Sequence, residues 1–159
     1  MKSLRSFLDK IIIGICVILF AFMTVVGTYQ ILTRYVFKAP STVSEELISY
    51  SFAWMSMFAA SYIFGKRDHM RMVFFVEKYN KKTQTLIGIL SEIVILAFAA
   101  LVLVWGGISI TSLTMTQTTP ALRISMGYVY SVIPTCGLIT AVYSLLNISD
   151  LLSDLKKEA

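Results

Sequence analysis

Four long apolar stretches restrict what this 159-residue chain can fold into. A helix needs about 20 apolar residues to cross a hydrocarbon core of roughly 30 Å. The stretches cover residues 11–33, 47–65, 86–112 and 124–149, and Glu92 is the one charged residue inside them. Hydrophobic residues make up 57% of the chain and charged residues 14%, whereas a soluble domain has about 25% charged residues. The sequence therefore predicts an all-α membrane protein, with four transmembrane helices forming a single domain over 1–159.

The distribution of Lys and Arg predicts the orientation of these spans. The N-terminal segment, the connection between the second and third stretches and the C-terminal tail together hold eleven of them, and the other connections hold three. Since cytoplasmic segments carry the excess of Lys and Arg, we expect both termini on the cytoplasmic side. The first stretch is longer than the 7–15 apolar residues of a signal peptide, so we expect it to be retained as a span.

The connections carry their own signals. Between Lys66 and Thr85, bases alternate with bulky apolar residues, which is typical of a short segment lying in the membrane interface. Before the second span, Thr42 to Glu45 fits a capping box, and Glu45 and Glu46 then fall in the first helical turn. Pro134, with Gly137 three residues later, predicts a kink in the fourth span.

Small residues recur at helical spacing in two of the spans. Such residues let helices in lipid approach closely, so both sets are candidate packing surfaces, within this chain or against a partner. The second span contributes Ser49, Ala53, Ser56 and Ala60, and the third contributes Gly88, Ala99 and Gly106, with Glu92 on the same face.

Catalytic and cofactor chemistry finds no support in the sequence. Cys16 and Cys136 lie separately in apolar runs, and His69 alone supplies neither a haem nor a zinc site. Nucleophile motifs, phosphate-binding loops and carboxylate clusters are missing, so we expect no enzyme, no cofactor, no metal and no nucleic-acid partner. Glu92 could bind a coupling proton, but we favour pairing with a base on a neighbouring helix or partial solvation.

Three motifs, in this order and spacing, resemble the small Q-type (DctQ-like) membrane subunit of TRAP transporters, the tripartite ATP-independent periplasmic carriers of bacteria. They are Arg34-Tyr35-Val36-Phe37 with Ser44-Glu45-Glu46, Tyr50 and Trp54; Gly65 to Met70, which includes His69; and Pro120-Ala121-Leu122 through Tyr130 to Pro134. In two places the chain departs from the family. Ser44 stands near the position where a Trp is common in the family, and Leu122-Arg123 stands where the family usually has Leu-Gly.

The resemblance implies a role without catalysis, in the bacterial inner membrane. A large multi-spanning subunit performs sodium-coupled elevator transport of an organic acid anion, such as sialic acid or a C4-dicarboxylate. A periplasmic binding protein delivers this substrate, and the small subunit scaffolds the large one. Candidate contacts with these partners are Arg34, Lys38, Glu45, Glu46, Trp54, His69, Glu92 and Arg123.

Two other functions are compatible with the sequence. A small proton-coupled multidrug exporter also has four spans and one membrane acid, which here would be Glu92. That acid belongs near the middle of the first span in such exporters, and Glu92 lies in the third. A free-standing assembly factor is the other alternative, and it should associate only transiently with its partners.

Overall fold

The computed structural model describes residues 2–66 and 81–157. Within these ranges the chain is helical, with an isolated antiparallel bridge between Thr118 and Ser125 in place of any strand. The helices are α1 (Lys2–Tyr35), α2 (Thr42–Lys66), α3 (Lys81–Phe98), the π-helix π1 (Ala99–Gly106), α4 (Gly107–Thr114), α5 (Met126–Tyr130) and α6 (Val132–Lys157).

Four helical units are long and apolar enough to cross a membrane, which confirms the four predicted spans. They are Leu4–Tyr35, Thr42–Lys66, Thr83–Thr114 and Met126–Ser153. The third span joins α3, π1 and α4, and the fourth joins α5 and α6. The first three spans extend past their predicted ends, because a helix can continue through charged residues whose long side chains reach the membrane surface.

The spans pack side by side in the order first, second, fourth, third. The fourth span is the most enclosed, since 33% of the residues in its apolar 18-residue segment are buried. The corresponding share is 6% for the first span and 11% for the third. The described part of the chain is therefore a row of helices with broad apolar faces on its outside.

The row is held together by a small core and by polar contacts between helices. Ile12, Phe58, Val132, Cys136 and Tyr143 form the buried apolar cluster. Next to it, the Thr140 hydroxyl donates to the Ser61 hydroxyl at 3.2 Å, and the Ser61 hydroxyl lies 3.3 Å from the Cys136 carbonyl. Hydroxyls that bond across helices stabilise membrane packing modestly, so they tie the second span to the fourth.

The fourth span is interrupted at Ser131, three residues before the predicted kink at Pro134. Pro134 has no N–H to donate to the Tyr130 carbonyl four residues earlier, and it lies in the first turn of α6. A helix tolerates proline there because that turn's N–H groups have no helical partner. The proline thus sets where α6 can begin, and the break falls one turn earlier.

The π-helix π1 changes which glycine of the third span faces the fourth. A π-helix turns less per residue than an α-helix, so positions after Ala99 are rotated back by about one residue. Gly106 is exposed as a result, whereas Gly107 is buried. A Cβ on Gly107 would lie 2.9 Å from the ring of Pro134, and a Cβ on Gly137 would lie 2.7 Å from the Cβ of Leu103. The two helices approach most closely at these glycines.

The second span is capped one residue earlier than the predicted capping box. The backbone N–H of Ser44 points to the Ser41 hydroxyl at 3.4 Å, so Ser41 precedes the helix and Thr42 begins it. The predicted Thr42 cap is therefore wrong: Ser and Thr both cap helices, and here the contact is made by Ser41, one residue earlier. The sequence predicts both Glu45 and Glu46 in the first turn; Glu45 lies there, and Glu46 follows just after it.

We predict that Gly137→Ala destabilises the protein by about 1–3 kcal/mol, since the added methyl group overlaps Leu103. Gly14→Ala is the matched control, because a Cβ there meets no atom within 4 Å. It should leave stability unchanged or raise it slightly through helix propensity. Thermal unfolding in detergent measures both variants. Equal stability of the two would contradict the close helix contact.

Candidate functional site

Asn147 is the centre of a polar cluster at the end of the row where the described chain begins and ends. Its side chain is fully buried. Its amide nitrogen donates to the Glu92 carboxylate at 3.0 Å and lies 3.4 Å from the Phe64 carbonyl, and its amide oxygen accepts from Arg5. The four residues come from four different spans. One side chain of the fourth span therefore connects all the others.

A second set of contacts extends the cluster along the first span. The Tyr143 hydroxyl donates to Asp9 at 2.7 Å, and Lys66 forms an ion pair with Asp9 at 2.9 Å. Arg5 also pairs with Asp150 at 3.5 Å. Gly65 makes room for this arrangement, because a Cβ there would lie 2.6 Å from the Tyr143 ring. Five ionisable side chains are thus neutralised or bonded within the chain.

Glu92 belongs to this cluster and is only 4% exposed. Its Oε1 accepts from the Asn147 amide of the adjacent fourth span, and the pairing with a base or partial solvation that the sequence favours stays a prediction. The Asn147 amide, which also accepts from Arg5, provides one oxygen of this buried carboxyl group with a hydrogen-bond donor. The described contacts of Glu92 are therefore those of a group that holds helices together.

Glu46 makes the main contact at the opposite end of the row. Its two carboxylate oxygens accept from the backbone N–H groups of Ala121 at 3.1 Å and Leu122 at 2.9 Å. Hydrogen bonds to an ionised acceptor are stronger than neutral ones. The second span therefore fixes the connection between the third and fourth spans.

The connection that Glu46 holds ends in a left-handed residue. Arg123 has φ 54°, a conformation in which glycine carries no steric penalty. The left-handed backbone at position 123 explains why glycine suits this position and why the backbone of Arg123 is strained. The Arg123 side chain is exposed.

The remaining charged candidates at this end are exposed. Arg34 closes the first span, and Lys38 follows it with φ 52°. Glu45 accepts a hydrogen bond from Gln30 at 3.2 Å and is otherwise open to the outside. Together with Arg123 they form what we call the outer charged surface, which consists of Arg34, Lys38, Glu45 and Arg123.

Trp54 lies within the second span, between the two ends. Its indole N–H donates to the Val129 carbonyl at 3.0 Å, and its ring stands 6.3 Å from that of Phe58. Val129 is in α5, which precedes the break at Ser131 and leaves carbonyls without helical partners. Trp54 therefore satisfies a carbonyl that the interrupted fourth span exposes.

The small-residue candidates divide into two groups. Ala99 is buried, and a Cβ on Gly88 would lie 3.4 Å from Leu151, so these two face the fourth span. The others lie on outer faces of the row: Ser49, Ala53, Ser56 and Gly106 are exposed, and Ala60 is half-buried. His69 lies outside the described residues, as does most of the predicted interfacial segment between Lys66 and Thr85.

Sequence reasoning missed the residues that organise the cluster. Arg5 and Asp9 precede the first predicted span, and Asn147 is an uncharged residue within the fourth. The sequence signal that could have identified Asn147 is its position deep in an apolar stretch, where lipid offers its amide no hydrogen-bond partner. Among the described residues, no three His, Cys, Asp or Glu side chains come together in a way that could hold a metal ion.

A family model describing the DctQ component of tripartite ATP-independent periplasmic transporters matches residues 23–154. This range includes most of the chain. The chain belongs to the DctQ family. The family of the DctQ component of TRAP transporters is the one that the motifs resemble, so this match confirms the resemblance.

Two relatives of this DctQ-family chain carry more specific names. It is 30% identical over 106 residues to the sialic acid TRAP transporter small permease protein SiaQ of Vibrio cholerae, covering 67% of this chain and 61% of the relative. It is 23% identical over 103 residues to a TRAP transporter small permease protein of Haemophilus influenzae, covering 65% and 64%. The matched part thus spans less than two thirds of either relative.

We predict that Glu46→Gln destabilises this DctQ-family protein by about 1–3 kcal/mol, because an amide offers only one oxygen to two backbone donors. Glu45→Gln, one residue away and exposed, should change stability by less than about 0.5 kcal/mol. Thermal unfolding in detergent measures the pair. Similar losses in both variants would show that Glu46 does not hold the connection.

Proposed function

We propose that this chain is a non-catalytic scaffold subunit of a sodium-coupled TRAP transporter that imports an organic acid anion. It would support the large, elevator-type membrane subunit, which carries out substrate transport. In this role the small subunit widens the stationary part of the transporter in the bilayer. A scaffold needs fixed helices and outward faces that a partner can cover, and it needs no substrate site of its own.

The row arrangement of the spans carries this proposal. The buried Glu92 and Asn147 bond to each other across helices, and partly exposed ion pairs lie beside them, so within the described ranges these groups stabilise the chain rather than line a path. The outer faces of the first and third spans are apolar and largely unburied in the single chain. Secondary transporters instead place polar groups and broken helices around a site at the bilayer midplane.

Orientation follows from charge. Eleven Lys and Arg at the end with the termini, against three at the other end, support cytoplasmic termini in the inner membrane. The segment between the second and third spans, which includes His69, would then lie in the cytoplasmic interface. The outer charged surface would face the periplasm, where a soluble binding protein can reach Arg34, Lys38, Glu45 and Arg123.

Contacts with the large subunit are assigned by the same reasoning. The exposed small residues Ser49, Ala53 and Ser56 of the second span, and Gly106 of the third, offer faces where a partner helix can approach closely. Glu46, Trp54 and Glu92 act indirectly, because each holds the chain's own helices or connections in place.

The substrate proposal rests on one relative. The protein of Vibrio cholerae is named for a sialic acid transporter, and this supports sialic acid as the organic acid anion. A C4-dicarboxylate is the other substrate class that the family resemblance suggests.

The proposal predicts that the tagged full chain, purified from its native membrane in mild detergent, retains a large multi-spanning partner in constant ratio. The partner should stay bound through washing, since a scaffold is a permanent part of its complex. Mass spectrometry identifies the partner, and the ratio is measured on the intact complex.

Two results would contradict the scaffold role. One is recovery of the chain alone as a folded homo-oligomer, which would favour an independent exporter. The other is a partner present in variable, substoichiometric amounts, which is the behaviour of an assembly factor. Expression of the chain in cells that lack the partner controls for detergent-induced association.

A further inference from the structure

An apolar groove of about 340 Å³ runs along the outside of the row between the first and second spans. One wall includes Ile13, Val17 and Phe20, and the other includes Met55, Ala59 and Tyr62. Ile13, Val17 and Phe20 are each between 46% and 63% exposed, so no other part of the described chain covers the groove. Seven residues of helix rise by about 10 Å, which gives the approximate length of the groove.

Each wall of the groove ends in a lysine at the same end of the row. Lys10 precedes Ile13 by three residues and Val17 by seven, so it continues the first wall. Lys66 follows Tyr62 by four residues and Ala59 by seven, so it continues the second. The Lys66 ammonium lies 5.4 Å from the centre of the Tyr62 ring, which places this cation at the mouth of the groove.

The charge at the mouth is positive on its outer side. Asp9 pairs with Lys66, but the Asp9 side chain is 14% exposed and also bonds to Tyr143 on the inner side. The Lys66 side chain keeps 38% of its surface exposed. Lys10 is exposed, and Arg5 is engaged by Asn147 and Asp150. Lys10 and the Lys66–Asp9 ion pair together give this end of the groove a net charge of +1, with the two lysine side chains on its outer side.

We propose that this groove binds an anionic phospholipid, with an acyl chain between the two walls and the phosphate between Lys10 and Lys66. An acyl chain matches a narrow apolar channel that begins at the membrane surface. A phosphate without an offsetting amine matches two lysines better than a zwitterionic headgroup does. The bound lipid fills the gap between the first two spans, so it belongs to the stable form of the protein.

Native mass spectrometry of the full chain, purified with whatever partners remain bound, tests the site. The probes are phosphatidylglycerol and phosphatidylethanolamine with identical acyl chains, added after delipidation. We expect phosphatidylglycerol to be retained preferentially. Lys10→Gln should lower that preference about fivefold, which corresponds to one lysine near an anionic headgroup. Lys10→Arg keeps the charge and should keep the preference.

Ala59→Phe tests the groove separately from its charged mouth. A phenyl ring fills the channel, so retention of both lipids should fall together. Equal retention of the two lipids by the unsubstituted chain would overturn the proposal, as would a preference that Lys10→Gln leaves undiminished. If Ala59→Phe leaves both lipids bound, the lysines attract lipid without the groove, and the proposed site is wrong.

Discussion

The buried side chain of Asn147 is the interaction on which the arrangement of the spans depends most. It bonds to groups from the other three spans, and all three of these contacts would be lost if the fourth span moved away. The hydrophobic effect does little to hold helices together inside a bilayer, because lipid tails are as apolar as leucine. Specific polar contacts and close packing must therefore set which helices are neighbours, and Asn147 contributes to both.

The two ends of the row are fixed by different means. At the end with the termini, Asn147, Asp9 and their partners join side chains across helices. At the opposite end, the Glu46 carboxylate holds two backbone N–H groups of a connection. Between them, Gly107 and Gly137 bring the third and fourth spans into close contact. A row fixed in this way keeps its shape while its outer faces meet lipid or a partner, as the proposed scaffold role requires.

The sequence predicts the number of spans well, because the thickness of the bilayer imposes a length on each apolar run. The order of the spans in the row could not be predicted, since it depends on contacts between residues far apart in the chain, such as Ser61 with Thr140. Nor could the sequence show that Gly107, and not Gly106, faces the fourth span. The predicted face assumes the spacing of an α-helix, and π1 changes that spacing. The cap at Ser41 shows a similar limit, since Ser41 and Thr42 carry equivalent signals.

The candidate residues divide along the same line. Glu46 and Trp54 were identified as candidates because they belong to the family motifs. Their partners, however, are backbone groups of Leu122 and Val129, which no residue pattern identifies. The outer charged surface was easier to predict, because Arg34, Lys38 and Arg123 lie between spans and must be exposed. Asp9 was hidden because the first helix continues through charged residues that usually mark the end of a span.

The proposed scaffold role requires that the membrane-embedded acid Glu92 hold helices together and carry no coupling ion or proton. Uptake of substrate per assembled transporter, measured in proteoliposomes with Glu92→Gln, tests it most directly. Glutamine keeps an oxygen that can accept from Asn147 but cannot be ionised, so we predict uptake within about twofold of the unsubstituted transporter. Loss of uptake in a transporter that is still fully assembled would contradict the claim and would make Glu92 part of the transport mechanism.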